Sequence, residues 1–285
     1  MPTIRQTIDD QEAFKASTTS NLEPDEQAEN PLEELGDKLA LTYAASLHTE
    51  KHWTTAVWVY THLSSPALRE HYIRSLLAQY SRSYSIQESD DTYNYLVGSL
   101  CIPRTWLHAA AALQAKADGD AVQQVEHLIR AEELEEAHEV LRRIVGPEAV
   151  ISRDYDILRE LLGNFLPSPS RSPIDGSSMA SYSIPQKSMV KGWGQGGQIY
   201  FEYIELLDLT SQRSNYRVDD DLEERIAGLL ASLQQALEIV ARDSWKSCRL
   251  EERAALTEVS GVVAGLSTKI KVRTPGRSTR RVDRS

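Results

Sequence analysis

The sequence predicts an all-α fold, an irregular α-solenoid-like helical stack followed by a long antiparallel helical hairpin. Three observations carry that expectation. From Leu32 to Leu162 the apolar residues recur three and four apart, the period of a helix buried on one face. Turn residues or prolines punctuate that pattern about every dozen residues, as they do between stacked helices. Near the C-terminus two longer stripes repeat the same spacing, and no run alternates with the period of two that a half-buried strand requires.

Order is expected to begin near Leu32, after an acidic lead interrupted by Pro24 and Pro31. Trp53, Ala56, Val57, Tyr60 and Leu63 lie on one helix face, and Ser64-Ser65-Pro66 ends that helix and caps the next, which carries Leu68, Tyr72, Ile73, Leu76, Leu77 and Tyr80. A further helix opens at Pro103, where proline's missing donor costs nothing, and runs through Trp106, Ala109, Ala110 and Leu113. Asp118-Gly119-Asp120 breaks it. The next helix carries Val122, Val125, Leu128 and Ile129; another carries Leu134, Ala137, Leu141 and Ile144 and stops at Gly146-Pro147; a last one carries Tyr155, Leu158, Leu161 and Leu162. The short loops force antiparallel neighbours. A tetratricopeptide spacing starts at Trp106 and is lost at Val122 and Glu126, so the stack is irregular.

Residues 164–198 hold eight Ser, four Pro and five Gly and are expected to form a linker. Beyond it, Tyr200, Phe201, Ile204 and Leu207 mark a short amphipathic helix. Leu222, Ile226, Leu229, Leu233, Leu237 and Val240 form one seam, and Leu256, Val259, Val263, Leu266 and Ile270 a second. Joined around Trp245, the two pair as an antiparallel hairpin. The expected divisions are therefore 1–32 (acidic lead), 33–163 (helical stack), 164–198 (linker), 199–268 (C-terminal helices and hairpin) and 269–285 (basic tail).

The chain has 285 residues, 31 Lys or Arg against 42 Asp or Glu, and a net charge of -11. From Lys269 onward seven bases face one acid, so residues 1–268 carry -17. A body this acidic repels polyanions, which leaves the tail, with Arg277, Arg280, Arg281 and Arg284, as the one place for nucleic acid or an import receptor. No stretch approaches the roughly 20 apolar residues of a membrane span, and residues 1–30 lack the pattern of a signal peptide. Two cysteines, Cys101 and Cys248, without CxxC spacing exclude a disulfide framework and a cysteine zinc site.

A search for chemistry yields little. His48 and His52 stand four apart, but Thr49 occupies the place where a zinc protease needs Glu. Gly192-Trp193-Gly194-Gln195-Gly196-Gly197 lacks both the Lys-Ser/Thr of a P-loop and the spaced glycines of a dinucleotide fold. No Gly-x-Ser-x-Gly elbow occurs, and Asp219-Asp220-Asp221 and Glu132-Glu133 stand at helix starts, where they complement the dipole. No catalytic, cofactor-binding or metal residue is assigned, and no small-molecule substrate; the expectation is a protein that is not an enzyme.

The ordered strings Tyr43 to Leu47, Trp53 with Ala56 to Leu63, Leu68-Arg69-Glu70 before Leu76-Leu77, Ile102 to His108, Ala137-His138, Ala149 to Ile151 before Asp154-Tyr155-Asp156, Trp193 with Tyr200 to Leu207, and Asp221-Leu222-Glu223 carry a family resemblance. The chain resembles, over about residues 33–266, the C-terminal part of the α-helical scaffold nucleoporin of the Y-shaped nuclear pore coat complex, released from the C-terminal half of a self-cleaving precursor. The resemblance implies a folded-back stack related to the ancestral coatomer element of COPII coats, in a structural protein at the nuclear envelope that supports mRNA and protein transport. It further implies contacts, at the hub of the Y, with the helical scaffold nucleoporins of the two short arms. The propeller-completing blade and the His-Phe-Ser cleavage site are not found, so neither propeller binding nor autoproteolysis is carried over. Candidate partner-contact residues are Tyr200, Ile204 and Leu207 with Leu230, Ile239 and Trp245, each of which equally fits an internal core. The alternative is a helical adaptor of a vesicle coat or other cytoplasmic assembly. Ser168-Pro169, Ser172-Pro173 and Thr274-Pro275 are candidate proline-directed phosphorylation sites.

Overall fold

The structure, a computed structural model, describes residues 31–166, 190–215 and 220–273. The fold is all-α, with no strand among the described residues. Helices α1 (Pro31–Ser46), α2 (Trp53–Tyr60) and α3 (Pro66–Gln79) are followed by α4 (Asp91–Asn94), α5 (Arg104–Asp118), α6 (Ala121–Arg130), α7 (Leu134–Val140), α8 (Gly146–Ser152) and α9 (Tyr155–Gly163). Then come α10 (Gly197–Asn215), α11 (Asp220–Asp243) and α12 (Leu250–Arg273). The chain divides inside α3 into two compact units, Met1–Glu70 and His71–Ser285.

In the first unit, the predicted face of Trp53, Ala56, Val57, Tyr60 and Leu63 is buried. Two polar anchors tie α1 and the turn after it to α2 and the turn that ends α2. The Asp37 carboxylate accepts the Ser64 N–H (2.9 Å) and the Ser64 hydroxyl (2.5 Å), and His48 Nε2 lies 2.8 Å from the Tyr60 hydroxyl.

In the second unit, α5 and α6 form an antiparallel pair. Gly119 takes the left-handed conformation (φ +79°) that closes α5, and Asp120 caps α6 by accepting the Gln123 N–H at 2.9 Å. Between these helices His108 and His127 meet with Nδ1 atoms 3.2 Å apart. Helices α4 and α7 each run on into one π-helical turn, Tyr95–Ser99 and Leu141–Val145. The second of these turns carries Arg142.

The linker expected at residues 164–198 does not extend over that whole length. Its end, from Val190, is packed: Trp193 is buried against His138 and Phe165 at ring-centroid distances of 5.6 and 5.9 Å, and the His138 Nε2 accepts the Gly197 N–H at 3.0 Å. The glycines are what allow this. A Cβ at Gly197 would collide with the Trp193 ring, and one at Gly196 would come within 2.6 Å of Arg142. Composition marks a segment poor in helix formers, but an inserted tryptophan buries enough apolar area to order such a segment. Residues 167–189 of the proposed linker, the acidic lead up to residue 30 and the basic tail from residue 274 lie outside the described residues. The helix expected at Tyr200 starts at Gly197 and runs to Asn215.

The hairpin forms as predicted, with α11 ending at Asp243 and α12 beginning at Leu250 on either side of Trp245. It is not a separate layer. Ile226, Leu230, Leu233 and Val240 of α11 and Leu256, Val259 and Val263 of α12 share one core with Leu141, Val145, Leu158, Leu162, Ile199 and Leu206. Helix α12 packs along α8, and α11 along α10. At the centre is Glu252, 2 % exposed. Its carboxylate accepts Arg142 Nη1 at 2.5 Å and the Arg249 N–H at 2.8 Å, so that one acid caps α12 and binds α12 to the π-helical turn after α7.

Arg142→Met strips a buried carboxylate of its cation and is expected to cost about 3–5 kcal/mol in urea unfolding. Removing both charges, Arg142→Met with Glu252→Met, should recover most of that loss. A second expectation concerns acid. Burial, together with His127, Arg130 and Arg104, holds His108 down at about 4, and burial and Arg130 lower His127 against the opposing charge of Glu126. The unfolded chain takes up these protons near 6.5, so their contribution is full above that pH and is lost as pH falls toward 4. His48 and His138, also lowered by burial, add to the slope. Urea midpoints measured from pH 7.5 to 4.5 should fall, and His108→Gln with His127→Gln should flatten the fall.

Candidate interaction surfaces

The candidate contact residues divide by burial. Tyr200 and Leu230 are 2 % and 5 % exposed, and Ile204 is equally buried. Tyr200 packs its ring on Gly146, where a Cβ would lie 2.5 Å from it, and donates its hydroxyl toward the Arg142 carbonyl at 3.4 Å; burial and the charge of Glu252 push the phenol up. Leu230 shares the core of α10 and α11, beside the Ser232 hydroxyl that donates to Glu202 at 2.9 Å. These three residues serve the chain's own interior. Leu207 and Ile239 are half-buried, and Trp245 is 37 % exposed in the turn between α11 and α12. At the end of the same turn Leu250 stands 76 % exposed, so the tip of the hairpin presents two large apolar side chains to solvent.

A larger surface is one that the residue pattern alone did not single out. On α1, Leu32, Leu35, Leu39 and Tyr43 are 55–75 % exposed and succeed one another at steps of three, four and four. At about 100° per residue they lie on one side of the helix, opposite the side of Asp37 and the fully buried Ala44. Helix α1 thus has two opposed faces: one, with Asp37 and Ala44, is used within its unit, and the other is apolar and exposed. The signal is present in the sequence, since Asp37, Leu41 and Ala44 define one stripe and Leu32, Leu35, Leu39 and Tyr43 another.

The other sequence candidates for chemistry resolve into structural roles. His48 is engaged by Tyr60, and the glycine-rich string seats Trp193. Among the described residues no group of three His, Cys, Asp or Glu is placed to hold a metal ion. A cavity of about 190 Å³ is lined by His138, Arg142, Lys191, Tyr200, Cys248 and Glu252, but Arg142 and Glu252 are paired with one another in its wall, and burial pushes the Cys248 thiol up, away from the reactive thiolate. No described helix is long and apolar enough to cross a membrane.

Comparison with known proteins gives these surfaces a context. The family described as "Nup96: Nuclear protein 96" matches residues 15–114. The chain is 29% identical over 236 residues to the nucleoporin nup189 of Schizosaccharomyces pombe, a match covering 83% of this chain and 11% of that protein. It is 26% identical over 172 residues to the nuclear pore complex protein Nup98-Nup96 of Drosophila melanogaster, covering 59% of this chain and 8% of the relative. It is 26% identical over 205 residues to the nucleoporin NUP145 of Chaetomium thermophilum, covering 72% and 11%. The chain thus spans about a tenth of the length of the curated relatives it matches. The family match reaches from before α1 into α5, and the chain is similar over most of its length to these nucleoporins.

Proposed function

We propose that the chain is a non-enzymatic scaffold component of the nuclear pore complex at the nuclear envelope, joining other helical nucleoporins at the hub of the Y-shaped coat complex. In this role it supports nucleocytoplasmic transport by holding the coat together. The observation that carries the reading is the solvent-facing stripe of α1, Leu32 to Tyr43, on a helix whose opposite face is already engaged through Asp37 and the buried Ala44. A contiguous exposed apolar stripe marks a protein contact in a chain of this kind, and its spacing suits a partner helix laid along it. The hairpin tip, Trp245 and Leu250 with the half-buried Ile239, is proposed as a second contact. The short-arm helical nucleoporins are the proposed partners.

Leu35→Glu combined with Leu39→Glu alters side chains that are in water, so the circular dichroism spectrum and unfolding midpoint should hold. Loss of two interface leucines at about 1.4 kcal/mol or more each predicts at least a ~100-fold weaker association with the helical nucleoporins of the complex in co-purification. Undiminished co-purification by the folded double variant would overturn the proposal.

A further inference from the structure

We propose that Ser65 is a phosphorylation site for a proline-directed protein kinase, and that its phosphate is held by the first turn of α3 and the Arg69 side chain. The inference is independent of the scaffold role and rests on the first unit alone. Among the described residues Ser65-Pro66 is the one Ser-Pro or Thr-Pro pair. It lies outside regular structure, between Leu63 and the start of α3, the kind of segment a kinase can draw into its groove.

The two adjacent serines are used differently. Ser64 is committed, its N–H and hydroxyl both donating to Asp37. The Ser65 hydroxyl accepts the Leu68 N–H at only 3.5 Å, the outer limit of a hydrogen bond, so little is lost when it is esterified. Helix α3, fourteen residues long, has no acid of its own in its first turn to meet the positive end of its dipole. One turn on, Arg69 Nε is buried and donates to no acceptor. A helical side chain leans toward the N-terminus of its helix and covers the turn before its own Cα, which for Arg69 is the turn opened by Ser65 and Pro66. A buried guanidinium N–H without an acceptor is costly to leave so, and three phosphate oxygens one turn away supply what it lacks. Against this stands the Asp37 carboxylate, held by Ser64 next door. The balance therefore depends on Arg69.

In the transfer, the Ser65 Oγ attacks the γ-phosphorus of ATP. The new Oγ–P bond forms as the bond from that phosphorus to the bridging oxygen of ADP breaks, and the hydroxyl proton passes to the kinase's base. The serine becomes a dianionic phosphoserine and ADP leaves.

The test uses the full chain with ATP and a proline-directed kinase, phosphopeptide mapping by mass spectrometry, and amide hydrogen exchange. Ser65 of the folded chain should carry phosphate, absent in Ser65→Ala, and the Ala67 and Leu68 amides should then exchange about 5–30-fold more slowly. Arg69→Lys, which keeps the charge and the fold but removes the Nε–H, should lose most of that protection, as should Arg69→Gln. Phosphate at Ser168, Ser172 or Thr274 with none on Ser65 would overturn the assignment. So would modification of Ser65 only in heat-unfolded chain, or protection that persists in both Arg69 variants.

Discussion

The second unit depends on a single acid. A carboxylate with almost no contact with water must be met by donors on each oxygen, because an unpaired charge in an apolar interior costs more than any one packing contact returns. Glu252 is met on one side by Arg142 and on the other by the Arg249 N–H at the start of its own helix. Arg142 is 110 residues earlier, on a π-helical turn whose extra residue re-aims the side chains beyond it. Once that pair is made, α12 cannot slide along α8 or rotate on its axis, since either motion would separate the two charges. The charge also acts on its surroundings, where it adds to burial in raising Tyr200 and Cys248. A hairpin with a coiled-coil seam could slip by a heptad; the ion pair forbids it.

Much of this fold is legible in the residues because helix period is a local property. Trp53 to Leu63, the Gly119 break, the proline start before Arg104 and the two seams of the hairpin all derive from spacing and local residue type, and all are found, the second seam as far as Leu266. What spacing cannot convey is what lies against an apolar face. Leu230 and Tyr200 are candidates for a partner because the stripes they sit on are wider than a two-helix seam needs, yet the extra width is taken up inside the same core by α10 and α8. The Ser/Pro/Gly composition of residues 164–198 conceals Trp193 for the related reason that composition averages over a single large side chain. In that segment one ring outweighs its neighbours: it packs on His138 and Phe165 and decides where α10 begins. The single turn of α4 and the π-helical segments have no period long enough to register.

The same limitation works in reverse on α1. Its sequence carries the apolar stripe of Leu32, Leu35, Leu39 and Tyr43 beside its charged residues, and such a stripe ordinarily marks a buried side. In its unit it is covered on one side only. Charge then bears on what can meet the other side. Residues 1–268 carry -17, and α1 itself carries Glu33, Glu34 and Asp37 against Lys38 alone. Two copies brought together on this stripe would stack like charges along its edges, a cost that grows as the apolar contact excludes water and its screening ions. Apolar attraction between copies is therefore opposed by their own field, whereas a helix with neutral or basic flanks meets no such opposition. An acidic body bearing an apolar stripe is in this way selective without any specific base or ligand: it disfavours itself and polyanions alike, and leaves a differently charged helix as the partner that gains from burial. That selectivity suits the proposed scaffold role, in which the partners are helical subunits unlike this chain.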